Sequence, residues 1–328
     1  MRNGITLGAA PWGTRLSFTA LLVAFSEFVV WQHPTGYAPL RIFGVAVVYG
    51  ALAAIALDLI VRLGTSDAAS LLLVAGAYGL ANGTLISQVS TRDLPVSLLV
   101  RPLGAQTLAF LGALAAFRLL LSGRRASILH LLIAAIVGLA WGVWIRWAPG
   151  ASNGTIESVA LETALVATGL ALTACLLLAG IATREPVGRA EDWLLRPGEW
   201  VGAIAVLVAA LAIGLARGEI DGAGAGIVLA LIAFLSGMLF ATRRLRGARS
   251  PLDAITPPRT PGAIGWLAMI ALFLAAGWIG HALPGSGDHA PQGDLLIGLL
   301  LGFGALWPPV VSALVGVQAF VQLAREQR

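Results

Sequence analysis

Leu21-Leu-Val-Ala-Phe-Ser-Glu-Phe-Val-Val-Trp31 sets one carboxylate, Glu27, in a run that is otherwise almost wholly apolar. Taken from 16 to 33, the run approaches the ~20 mostly apolar residues that a membrane-crossing helix requires. It shows no polar face of the kind a helix on a soluble core turns to water. An acid at membrane depth costs at least about 2.5–3.5 kcal/mol, so Glu27 is expected to turn inward and find a partner. The rest of the chain repeats the pattern.

Hydrophobic residues make up 58% of the sequence and charged residues 11%, with a mean hydropathy of +0.88. Soluble domains carry about a quarter of their residues charged, so most of this exterior must meet lipid. Ten segments qualify as spans: 16–33, 41–62, 68–88, 96–120, 127–147, 158–182, 199–217, 222–242, 263–283 and 295–322. They are separated by turn-forming stretches, among them His33-Pro-Thr-Gly36, Ser122-Gly-Arg-Arg125, Gly150-Ala-Ser-Asn-Gly154 and Pro284-Gly-Ser-Gly287. The expected fold is an all-α integral membrane protein, a bundle of about ten transmembrane helices in one domain over 1–328. It divides into possible halves 16–147 and 158–322, which share no motif.

All 21 basic side chains are arginine. With the N-terminus inside, 16 of the 21 fall on inner loops and helix ends, leaving Arg41, Arg92, Arg101, Arg146 and Arg217 outside. Cytoplasmic loops carry the positive excess, so both termini are expected in the cytoplasm and the chain in the plasma (cytoplasmic) membrane. Arg2 and Arg15 precede the first run and no small-residue cleavage site follows it, which reads as a retained helix. The net charge of +5 is spread between spans and gives no nucleic-acid footprint. The inner loop with Arg243, Arg244, Arg246 and Arg249 is a topology signal that could also grip anionic lipid headgroups. The inner loop 183–198, where Trp193 and Trp200 flank Arg196, reads as a short amphipathic segment along the interface.

Catalytic motifs are sparse. Phosphate-loop, dinucleotide and zinc-protease signatures do not occur, and no cofactor is implied. Gly150-Ala-Ser-Asn-Gly154 spells a nucleophile-elbow pattern but joins two membrane helices, not the strand and helix that the elbow needs. The four histidines, His33, His130, His281 and His289, lie mainly at span ends and suggest no metal site. The single Cys175 sits in an apolar run and reads as a small core residue.

The remaining signals are polar residues within spans. Glu27, Asn82, Arg101, Gln106 and Glu162 fall at similar depths toward the outer end. An arginine fork can hold a carboxylate with two bonds, so Glu27 is expected to face Arg101, with the amides and Glu162 completing a layer. Ala75, Gly79 and Gly83 form a small-residue seam for close helix packing. Asp58 and Arg62 form an i,i+4 pair. Pro308 and Pro309, near the middle of the last span, remove two backbone donors and are hinge candidates.

Ten spans in about 300 residues with both ends inside resembles the drug/metabolite transporter superfamily in topology alone. Tyr78-Gly-Leu-Ala-Asn-Gly-Thr84 faintly resembles the helix bearing paired glutamates in CPBP-type intramembrane proteases, but Ala81 and Asn82 stand where two acids would be needed. The comparison therefore argues against catalysis. The leading expectation is a transporter or permease for a small solute or lipid-like molecule. A non-catalytic membrane subunit bound to a protein partner is the alternative, and an intramembrane enzyme lacks a nucleophile, metal cluster or acid pair. A transporter should line a cavity with its polar layer, whereas a subunit should seal it.

Overall fold

The computed structural model describes residues 11–31, 38–65, 67–88, 90–91, 94–147, 160–184, 187–243, 251–283 and 291–326. The motifs at 33–36, 150–154 and 284–287, together with His33, Asp288, His289, Arg244, Arg246 and Arg249, lie outside them, as does the side chain of Arg243. All regular elements among the described residues are helical. They are α1 (Trp12–Val23), α2 (Pro39–Arg62), α3 (Ala68–Leu85), α4 (Val96–Val100), α5 (Thr107–Leu121) and α6 (Ile128–Trp147), followed by α7 (Leu161–Ala182), α8 (Pro197–Ala216), α9 (Gly222–Arg243), α10 (Ala263–Ala282) and α11 (Pro291–Glu326).

Among the described residues nine helices are long and apolar enough to cross a membrane, running from Leu40–Arg62 to Asp294–Gln318. The expected first span differs. Its α-helix stops at Val23 and continues as a π-helical turn over Ala24–Val29. A second π turn, Arg101–Gln106, joins α4 to α5. Pro102 lies in that turn, where its missing N–H and ring bulk disfavour the regular ladder. Such π turns inside helices occur frequently at functional sites.

Local chemistry sets the other ends. Pro39 and Pro197 open α2 and α8 in the first turn, where a missing N–H costs nothing. The Asp67 side chain caps α3 by accepting from the Ser70 N–H at 3.1 Å. The tight turn between α8 and α9 closes through Gly218 at φ +65°, and Asp221 Oδ2 accepts from the Gly224 N–H at 2.7 Å. Both prolines of α11 sit within one unbroken helical stretch, where Ser312 Oγ donates to the Pro308 carbonyl at 2.7 Å.

The buried centre is built on α1, α3 and α5. Phe18, Leu21 and Leu22 of α1 are fully covered, and the Phe18 ring meets Phe110 and Phe117 at centroid distances of 5.8 and 5.1 Å. The expected seam on α3 is used: a Cβ on Gly79 would overlap the Pro102 carbonyl, and one on Gly83 would meet the Pro102 ring. Gly76 leaves room for the Trp307 indole, whose Nε1 donates to the Leu103 carbonyl of the second π turn at 2.9 Å. A closer seam joins α6 to α10. Cβ atoms on Gly138 and Gly142 would overlap the carbonyls of Phe273 and Gly277, so the helices run parallel in backbone contact.

The segment 187–196 packs one face, with Val187, Ala190, Trp193 and Leu195, onto the bundle and leaves Arg189, Glu191, Asp192 and Arg196 exposed. Trp193 is fully buried, with its ring 6.1 Å from that of Phe117. Asp58, also fully buried, accepts from Arg62 at 2.8 Å and from the Leu195 N–H at 2.7 Å. Arg15 donates to Glu199 at 2.8 Å and to the Leu194 carbonyl at 3.2 Å. A routine helical pair is therefore also the anchor that draws this segment under α1, α2 and α5. Arg259 ties the second long loop to the same end, its N–H donating to the Leu121 carbonyl at 2.8 Å. Arginine-bearing loops thus gather at one end of the bundle.

Candidate functional site

The two π turns place polar groups in the buried centre. Glu27, Ser26 and Asn82 are 2%, 0% and 0% exposed, and Tyr49 and Tyr78 are 0% and 4% exposed. Tyr49 Oη donates to Glu27 Oε1 at 2.6 Å. Asn82 Nδ2 donates to Tyr49 Oη at 2.9 Å and to Tyr78 Oη at 3.3 Å. Ser26 Oγ lies 2.7 Å from Tyr78 Oη, completing a chain across the first π turn, α2 and α3. Two phenols, an amide and a hydroxyl therefore form one chain that ends on the Glu27 carboxylate, each link within hydrogen-bonding range.

The site's walls explain its placement. Tyr78 stacks on Phe110 at a centroid distance of 5.0 Å, which orients its hydroxyl toward Ser26 and Asn82. The carbonyls of Phe28 and Val30, at the end of the first π turn, accept from the indoles of Trp141 and Trp144 on α6. Trp31 then leaves the helix at φ +57°. Indole donors thus satisfy carbonyls that the helix end would otherwise orphan.

Two buried amides retain unused capacity. Asn82 Oδ1, Gln106 Oε1 and Gln106 Nε2 have no hydrogen-bond partner within the protein among the described residues. Gln106 closes the second π turn one helical turn before Phe110, and Asn82 lies one turn beyond Tyr78. The antiparallel packing of α3 on α5 therefore brings the two amides to neighbouring depths.

The expected layer forms with different members. Glu27 and Asn82 meet through Tyr49, but no hydrogen bond or ion pair joins Glu27 to Arg101 among the described residues. Arg101 is half-buried at the head of the second π turn. Glu162 is exposed in the first turn of α7, within electrostatic reach of His281 and away from the layer. Sequence reasoning missed Tyr49, Tyr78 and Ser26. A usable signal was present: Tyr78 and Asn82 are four apart on one face of α3, and Tyr49 and Tyr78 are two of only three tyrosines in the chain. No family model, curated protein or solved structure matches this chain, so its site is read from its own geometry.

Proposed function

We propose that the chain is a transporter or permease for a small solute, held here with its polar centre occluded. In this reading it lies in the cytoplasmic membrane with both termini inside. Glu27, Tyr49, Asn82, Tyr78 and Gln106 are its solute or coupling-ion groups, and Pro308 and Pro309 its hinge candidates. The observation that carries the reading is the set of unused polar atoms on Asn82 and Gln106 in the same buried region as a carboxylate. Each unsatisfied buried group costs about 1–3 kcal/mol. A purely structural clasp gains nothing from that cost, whereas a solute site meets it each time a polar solute enters.

A non-catalytic subunit remains the second reading, favoured by the near-complete burial of the network. Accessibility separates the two without knowledge of the solute. Ser26→Cys, in a Cys175→Ala background, should react with an impermeant methanethiosulfonate reagent added from either side of the membrane, because alternating access opens the site to both. A cysteine at 26 that stays unreactive from both sides, in a protein with wild-type thermal stability, would reject transport and leave the subunit.

A further inference from the structure

Arg101 stands five residues inside the span Val96–Leu121, about 7.5 Å along the helix at 1.5 Å per residue. It is half-buried, yet it makes no hydrogen bond or ion pair among the described residues. Other arginines drawn into the fold are answered: Arg15 by Glu199, Arg62 by Asp58 and Arg146 by the Leu283 carbonyl. Ionisable groups inside a span are costly and mark solute and ion pathways. Two further groups beside Arg101 are also unanswered. Ser90 Oγ is fully buried and has no hydrogen-bond partner. A Cβ on Gly83 would overlap both that oxygen and the ring of Pro102, so the hydroxyl and the residue following Arg101 border one small gap. Gln106, fully buried, leaves both amide atoms unused. Because a π turn bonds residue i to i+5, Arg101 and Gln106 stand one turn apart on one face of the second π turn. A guanidinium, a hydroxyl and an amide N–H thus gather there with no acceptor among the described residues.

That donor set selects the ligand. A planar guanidinium fork matches two oxygens of a carboxylate or phosphate, and neutral hydroxyl and amide donors satisfy further lone pairs without a second charge. A cation is repelled by Arg101, and a neutral solute leaves its charge uncompensated at membrane depth. We propose that the solute is anionic and that its carboxylate or phosphate group binds Arg101, with Ser90 and Gln106 completing the site. The inference rests on the transport reading for the anion's being carried, and on the donor set alone for its being bound.

Binding is tested on the full-length protein in phosphatidylcholine nanodiscs, whose lipid carries no net charge. Thermal unfolding would be followed by tryptophan fluorescence in phosphate, acetate and chloride buffers of equal pH and ionic strength. Phosphate or acetate should raise the unfolding temperature by about 2–4 °C over chloride, and the arm that responds names the group bound. Arg101→Gln should abolish the rise, and Arg101→Lys, which keeps the charge but not the fork, should retain only part of it. Ser90→Ala removes a hydroxyl bonded to nothing, so it should unfold as wild type in chloride and gain less from the anion. It keeps the proposal testable should Arg101→Gln fail to fold. An anion shift in a protein whose Ser26→Cys variant stays unreactive from both sides keeps this inference and rejects transport. No shift of the wild type by either oxyanion overturns the proposal, as does an undiminished shift in Arg101→Gln or Ser90→Ala.

Discussion

Replacing Tyr49 by phenylalanine removes one oxygen and tests how Glu27 is held. That oxygen donates to Glu27 Oε1 at 2.6 Å and accepts from Asn82 Nδ2 at 2.9 Å, and the residue is fully buried. The ring keeps its packing, so the loss is polar. A hydrogen bond to an ionised group contributes about 1.5–3 kcal/mol, whereas interhelical hydrogen bonds between neutral groups in a membrane average ~0.6 kcal/mol. The coupling between Tyr49 and Glu27 therefore reports the charge on the carboxylate. A double-mutant cycle of Tyr49→Phe, Glu27→Gln and the pair, read by reversible unfolding in mixed micelles, isolates it. For an ionised Glu27 the expected coupling is about 1.5–3 kcal/mol, with the double variant less destabilised than the sum of the singles. A value near 0.6 kcal/mol would make Glu27 neutral in the folded protein. Strictly additive single effects would refute the view that Tyr49 answers the carboxylate at all.

In the α6–α10 seam, Gly142→Ala places a methyl group on the Gly277 carbonyl and should destabilise by about 1–3 kcal/mol through overpacking. Gly180→Ala, which meets nothing within 4 Å, should be neutral or stabilising by thermal unfolding, and equal losses at both sites would deny the seam its role. Asp58→Ala strands the Leu195 N–H and releases Arg62, so limited trypsin digestion should cut faster at Arg189; unchanged cleavage would count against the anchor. Trp307→Phe leaves the Leu103 carbonyl without its indole donor and should lower stability by about 1–3 kcal/mol, a loss that Trp278→Phe, on the exposed face of α10, should not reproduce. With both termini inside, a cysteine at 288 should be labelled by an impermeant reagent on intact cells; labelling only after permeabilisation reverses the topology.

Helix positions were readable because lipid imposes length and apolarity on each span independently of its neighbours. Nine of the ten expected spans recur as long apolar helices among the described residues, with ends such as 68–88 against Ala68–Leu85 shifted by only a few residues. Glu27 was readable as a buried acid needing a partner, but charge complementarity pointed to Arg101, while the fold supplies the neutral hydroxyl of Tyr49. In a low-dielectric interior a phenol can stabilise a carboxylate without the desolvation cost of a second ion, and nothing in linear spacing separates the two solutions. The π turns were hidden for a related reason. The second depends on where α3 and α11 press against Pro102 and Gly104, which is tertiary information. Gly138 and Gly142 did carry a visible four-residue spacing, and the partner on α10 became evident only once the helices were paired.

The two π turns also change what length means for this chain. An ordinary membrane helix that loses one residue rotates everything beyond the deletion by about 100°, turning lipid-facing side chains into the core. Here α1 and the α4–α5 helix each contain a wider loop of backbone at neighbouring depth, in effect one spare residue apiece. Removing a residue inside Ala24–Val29 or Arg101–Gln106 would restore regular winding while the flanking segments keep their registers. These two short windows are where the protein can absorb a deletion.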